Sequence, residues 1–170
     1  PRDVNAGLLL GRIAIHARAF GDAEKLLRKV VQIAPRFILA WHELSVSLKE
    51  QHKDGDAVDA LEQALEMESE NSLSHYYYGA ALAMAGRTED AVRAYSRSVE
   101  IDPQQTGALV GLGHVLKTLG DQEGGIDAYR AAIELRPNLG EIYFSLSNLK
   151  TFRFTQNEIQ DMEERLSQPS

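Results

Sequence analysis

One spacing constrains this chain more than any other: the sequence repeats itself every 34 residues. The clearest copy runs from Leu73 to Pro103, LSHYYYGAALAMAGRTEDAVRAYSRSVEIDP. Small or apolar residues recur there at Tyr78, Gly79 and Leu82, then at Ala91, Tyr95 and Val99. This is the spacing of one helix face, not the alternation of a strand. Gly86 can end the first helix through a left-handed conformation at little steric cost. Thr88 is expected to cap the second helix, with Glu89 and Asp90 in its positive-ended first turn. Pro103 cannot continue a helix and biases Asp102 away from helical geometry, so the unit closes there.

Displacement by 34 residues carries each feature onto a counterpart. Pro103 maps onto Pro137 and Pro35. Tyr78 maps onto Leu10, Leu44 and Leu112, and Gly79 onto the small residues Gly11, Ser45, Gly113 and Ser147. Ala91 maps onto Ala23, Ala57 and Gly125, and Tyr95 onto Leu27, Leu61 and Tyr129. Four units follow, 4–37, 38–71, 72–105 and 106–139, with a partial fifth over 140–167. Two helices per period at this length indicate an all-α fold, a solenoid of stacked helical hairpins forming one continuous domain.

The pattern resembles the tetratricopeptide repeat family, Trp-x2-Leu-Gly-x2-Tyr, then Ala-x3-Phe, then Pro. Unit two supplies Trp41, Leu44, Ala57, Leu61 and Ala64; unit three supplies Tyr78, Gly79, Ala91, Tyr95 and Pro103. Unit four supplies Leu112, Gly113, Tyr129, Ala132 and Pro137. Gly7 and His75 replace the first aromatic of units one and three, and Ser69 stands where unit two lacks its proline. The resemblance implies a right-handed α-solenoid whose first helices line a concave groove.

Within units, the spacing predicts a first helix over 4–18, a turn at Phe20-Gly21-Asp22 and a second helix over 23–33. In unit two it predicts helices over 38–50 and 57–66, a turn at Asp54-Gly55-Asp56, and Asp56 as N-cap. Gly111 and Gly113 read as close-packing positions, since no strand precedes them as a phosphate loop requires. Gly124 and Gly125 are expected to soften the second helix of unit four. Thr155 and Glu158 suggest a capping box, with Phe154 and Ile159 as its hydrophobic staple. The helix that follows, with Ile159, Met162 and Leu166 on one side, is expected to cap the array.

The net charge of −7 is unevenly spread. Residues 1–37 carry seven basic and three acidic residues, whereas 38–71 carry two basic and nine acidic. Nucleic-acid binders concentrate basic surface; here Arg18, Lys25, Arg28 and Lys29 read as a solvated helix face, and no nucleic acid is expected. No apolar run approaches the roughly 18 residues that span a bilayer, so no membrane partner is expected. The absence of cysteine excludes disulfides and thiolate metal sites and fits a cytoplasmic protein. The chain opens on Pro1 rather than methionine, and we expect an excised piece of a longer protein.

Nothing in the sequence has the spacing of catalysis. The five histidines, His16, His42, His52, His75 and His114, form no pair at metal-ligand spacing, and no Gly-x-Ser-x-Gly elbow occurs. Neither metal nor cofactor is expected, and this chain is read as non-enzymatic. The family's inward positions instead fall on Leu8, Arg12, Ile15 and His16; His42, Val46, Lys49 and Glu50; Tyr76, Ala80, Ala83 and Met84. They continue with Val110, His114, Lys117 and Thr118, then Phe144, Asn148 and Phe152. The resemblance therefore assigns Arg12, His16, His42, Lys49, Tyr76, His114, Lys117 and Asn148 to a peptide-binding groove suited to an acidic segment. Leu8, Glu43, Leu73 and Tyr77 occupy the polar positions of the family's carboxylate clamp, which argues against a chaperone-tail receptor.

Two further expectations concern the ends. Leu8-Leu9-Leu10 at an uncapped first unit predicts self-association. Residues 141–154, EIYFSLSNLKTFRF, with the helix after them, resemble the segment closing the repeats in bacterial proteins where such repeats precede a sulfotransferase domain. That resemblance implies, as an alternative role, an accessory module of a larger enzyme using 3′-phosphoadenosine-5′-phosphosulfate; no donor-binding loop lies within this chain.

Overall fold

The computed structural model describes residues 3–138, 140–148 and 153–167. Among the described residues the chain is ten helices and no strand. The first helices of the hairpins are α1 (Val4–His16), α3 (Ile38–Lys49), α5 (Ser72–Met84), α7 (Thr106–Leu119) and α9 (Gly140–Ser147). The second helices are α2 (Phe20–Ile33), α4 (Asp54–Met67), α6 (Thr88–Ile101), α8 (Gln122–Leu135) and α10 (Gln156–Ser167). Every first helix starts 34 residues after the previous first helix, and every second helix 34 after the previous second one. The fifth hairpin keeps this register although its sequence departs most from the others.

The unit-three turn falls at Gly86 as its sequence predicts, but in units one and two the turn lies a few residues earlier than sequence spacing suggests. Backbone in the left-handed region falls at Arg18 (φ 58°), His52 (φ 57°), Gly86 (φ 74°) and Gly120 (φ 89°), again one period apart. Only two of these positions use glycine. Gly21-Asp22 and Gly55-Asp56 therefore sit inside α2 and α4, not in turns. Their acidic residues belong to the first helical turn, where the positive end of the helix favours them. Asp56 is thus not an N-cap, and Thr88 is the first residue of α6 behind an Arg87 that makes no side-chain cap. Real side-chain caps come from Asp3, Asn71 and Asp121.

Close approach of paired helices depends on the small residues of the repeat. A Cβ on Gly79 would lie 2.8 Å from the Tyr95 ring, and one on Gly111 2.4 Å from the same ring. One on Gly113 would lie 2.6 Å from the Tyr129 ring, and one on Gly11 2.7 Å from Leu27. A Cβ on Gly125 would lie 3.2 Å from the Gly113 carbonyl oxygen, within a continuous α8. Large side chains from second helices thus fill the gaps that small residues leave on first helices. Leu27, Leu44, Leu48, Leu61 and Leu82 are fully buried in one cluster running through the first four hairpins. Tyr129, Ile142 and Leu146 form a second cluster, joined to the first through Val99.

Unit two replaces the repeat's proline with serine, and unit three its tryptophan with histidine, without losing the contact between them. Trp41 Nε1 donates to the Pro35 carbonyl at 2.7 Å. One period on, His75 Nε2 donates to the Ser69 carbonyl at 2.8 Å. Neighbouring units are also joined on the outside. Glu24 accepts from Lys53 (2.7 Å), Gln51 (3.0 Å) and Arg28 (2.8 Å), and Arg28 reaches on to Asp56 at 2.9 Å. The hydrogen bond from Lys53, with those from Arg28 and Gln51, outweighs burial and holds the Glu24 carboxyl down at about 2.

At the end of the array Phe154 packs into the second cluster, its ring 6.5 Å from that of Tyr143. Thr155 directly precedes α10, and its carbonyl accepts from Ile159 N–H at 3.1 Å. The side chains of Glu158 and Leu166, and the whole of Phe152, lie outside the described residues.

Candidate groove

The second helices α2, α4, α6 and α8 each pack against both their own first helix and the next one. Successive first helices also pack on one another, α1 on α3, α3 on α5 and α5 on α7. That contact draws them to the inner side of the stack, where the residues assigned to a groove must face.

The structure divides those residues. Arg12 is exposed along α1 and pairs with Glu43 of α3, Nε to Oε1 3.2 Å. His16 is exposed one turn on, close enough for its charge to act on Glu43. Burial raises the Glu43 carboxyl against the pull of Arg12 and His16. The sequence marks Glu43 only as a residue that breaks the family's carboxylate clamp; its being the one carboxylate of α3 was the available signal for a pairing with Arg12.

His42 takes a different role. It is 3% exposed, with Nε2 2.8 Å from Ser74 Oγ and its ring 4.9 Å from that of Tyr77. It packs between α3 and α5 and does not line an open surface. Tyr76 is half-buried against Tyr77 and Tyr95, at ring distances of 5.1 and 6.3 Å, and covers Gly107. The inward position that these two residues share is mainly a packing position, as the buried Leu8 of unit one also shows. It opens only at Phe144, which is 69% exposed.

His114 is exposed, its Nδ1 2.7 Å from the Tyr129 hydroxyl. Desolvation lowers its pKa, and the nearby Lys117 charge lowers it further. Asn148 is exposed just beyond α9. Lys49 and Lys117 are half-buried and stand two periods apart. Among the described residues neither has a carboxylate partner. Between them on the same rows lie Ala80, Ala83 and the exposed Met84. A chain of partner residues could therefore meet cation, apolar floor and cation in turn.

The outer side offers a contrast. Two hollows of about 210 and 250 Å³ lie at equivalent places of units two and three, one beside Trp41 and the other beside His75. Their arginines are held by carboxylates: Arg28 by Asp56 in the first, and Arg87 and Arg93 by Asp90 in the second. Arg97 is held by Glu70 and Glu100. Guanidiniums engaged in this way have little charge left for a ligand's carboxylate.

Comparison with known proteins agrees with this architecture. No curated protein matches the sequence. Among solved structures, the thermophilic TPR protein TTC0263 of Thermus thermophilus superposes with a TM-score of 0.78 at 16% identity, covering 85% of this chain and 80% of that one. MamA superposes with a TM-score of 0.69 at 21% identity, covering 78% of each chain. YrrB, described as a TPR protein with an unusual peptide-binding site, gives 0.71 at 17% identity, covering 84% of this chain and 74% of that one. At these identities the likeness is one of fold. Two family profiles described as tetratricopeptide repeat match the sequence itself, over residues 44–106 and 106–139. Together they take in more than half of the chain, which belongs to the tetratricopeptide repeat family.

Proposed function

We propose that this chain is a non-catalytic scaffold that binds a segment of a partner protein along its inner side. The observation that carries the reading is the pair Lys49 and Lys117: equivalent in the repeat, unpaired among the described residues, and separated by the apolar row of Ala80, Ala83 and Met84. An unpaired ammonium on a partly buried surface gains most from a carboxylate that a ligand brings. The ligand is therefore a segment with acidic groups flanking an apolar stretch. Arg12 contributes less, because Glu43 already occupies its guanidinium. The peptide site for which YrrB is described supports the same use of the fold. A chain without cysteine suits a reducing compartment such as the cytoplasm, and no described helix is long and apolar enough to cross a membrane.

The test is selection of displayed random peptides of about 12 residues on the immobilised chain, followed by affinity measurement on the K49E/K117E variant. The proposal expects acidic–apolar–acidic sequences and roughly tenfold or greater weakening in the variant, with its melting temperature unchanged. Equal affinity for both proteins would overturn it.

A second reading rests on residues 141–154 and the helix after them, whose likeness to the closing segment of sulfotransferase-linked repeats makes the chain an accessory module positioning an acceptor or partner. The coding sequence beyond Ser170 decides it: a phosphate-binding strand–loop–helix there supports the reading, and its absence removes it.

A further inference from the structure

On α7, His114 holds the repeat position that Arg12, Val46 and Ala80 fill in units one to three. Its Nδ1 lies 2.7 Å from the hydroxyl of Tyr129, a fully buried residue whose ring is seated on Gly113. The two rings meet edge to face, 5.4 Å apart at 74°. One period earlier Tyr95 has only Ala80 at that position, which offers no acceptor. The pair is therefore a feature of this unit and not of the repeat.

The hydrogen bond decides which side of the imidazole carries its proton. Of the two acceptors beside the phenol, the imidazole nitrogen is a far stronger base than the Ser145 hydroxyl, so Tyr129 donates to Nδ1. Burial raises the Tyr129 pKa, and the phenol keeps its proton. Desolvation and the charge of Lys117 keep the ring of His114 neutral. Its one N–H is then Nε2–H, which points away from Tyr129 on an exposed residue.

We propose that His114 Nε2–H and Lys117 Nζ together receive one carboxylate of the partner segment, which makes unit four the tighter end of the inner surface. This rests on the function proposed above. Lys117 is one helical turn from His114, and among the described residues it has no carboxylate partner. Lys49 has Val46 where Lys117 has His114, so the other end offers a cation without this second donor. The inequality gives a bound segment a direction. A carboxylate suits the pair better than a phosphate dianion, because one positive charge is offered and the Glu141 carboxylate acts on the same ring. Between the lysines lies α5, packed on α3 and on α7. Packed helix axes stand about 8–10 Å apart. The two carboxylates are then roughly 20 Å apart, about six residues of extended chain.

The probe is a synthetic peptide with two glutamates about six residues apart around an alanine–leucine stretch, with two versions in which one glutamate is glutamine. Titrating all three into the chain and its variants gives a double-mutant cycle for each glutamate. His114→Ala is expected to weaken binding about tenfold. His114→Gln, whose amide N–H stands in for Nε2–H, is expected to weaken it less than about threefold. The His114→Ala and Lys117→Ala losses are expected to couple to the same glutamate, and the Lys49→Ala loss to the other. Long-range proton–nitrogen correlation on the free chain at neutral pH is expected to place the His114 proton on Nε2. A proton on Nδ1 would overturn the inference and leave the groove reading standing. So would full affinity of His114→Ala for a peptide that K49E/K117E no longer binds. A peptide series that fails to bind would also overturn it, while the displayed-peptide selection judges the groove reading separately.

Discussion

His42 shows how a residue chosen for its chemistry can be taken up by packing. Burial pushes its pKa down to about 4, outweighing the opposing charge of Glu68. Its Nδ1 has no hydrogen-bond partner among the described residues. The folded protein therefore holds the neutral ring, while the unfolded chain takes up a proton near pH 6.5. Stability is fully present above pH 6.5 and falls as pH drops toward 4, by up to about 3 kcal/mol. Glu24, depressed to about 2, has a separate window: its contribution is present above about pH 4.5 and lost as pH falls through 2. Urea unfolding at pH 7.5 and pH 5 is expected to show the first loss. His42→Leu, which puts leucine where unit one has Leu8, is expected to reduce that difference; an unchanged pH slope would refute the assignment to His42.

The left-handed residues give a second residue-scale expectation. Arg18 and His52 hold a conformation that costs a side chain about 1 kcal/mol and glycine almost nothing. His52 is exposed, so little packing is lost with its ring. His52→Gly is expected to raise stability by about 0.5 kcal/mol net of the extra unfolded-state entropy. Thermal melting checks this, and a lowered midpoint would count against it.

At the scale of elements, most of the fold was legible because the repeat restates each packing contact once per period. Pattern positions such as Gly79 against Tyr95 and Gly113 against Tyr129 correspond to actual close approaches. The turns were less legible. Gly21-Asp22 and Gly55-Asp56 attract a turn assignment by composition, yet they lie in first helical turns, and non-glycine residues take the positive φ. The groove was legible in part for a related reason. An inward position in the family pattern specifies a direction along the helix. Whether the side chain is then buried depends on the neighbouring unit, and Ser74 and Tyr77 bury His42.

Glycines separate these effects by experiment. Gly111→Ala drives a methyl into the Tyr95 ring, itself 5% exposed and enclosed, and is expected to cost about 1–3 kcal/mol. Gly55→Ala meets nothing within 4 Å inside α4 and is expected to add up to about 1 kcal/mol. Opposite signs for the two changes in chemical denaturation would support the packing account, and equal signs would contradict it.

The whole molecule has two unlike sides. On the outside, Glu24, Arg28, Asp56, Asp90 and Arg97 are engaged in ion pairs within or between units. On the inside, Lys49 and Lys117 are left without partners among the described residues, beside an apolar row. The proposed function puts a partner segment along this inner side. Its most direct test is backbone amide chemical-shift mapping, with a selected acidic–apolar peptide titrated into the isotope-labelled chain. We predict that the shifts concentrate on α3, α5 and α7, centred on Lys49, Ala83 and Lys117, and leave the outer faces of α4 and α6 unmoved. Shifts centred on the Trp41 and His75 hollows of the outer side, with Lys49 and Lys117 unperturbed at saturation, would contradict it.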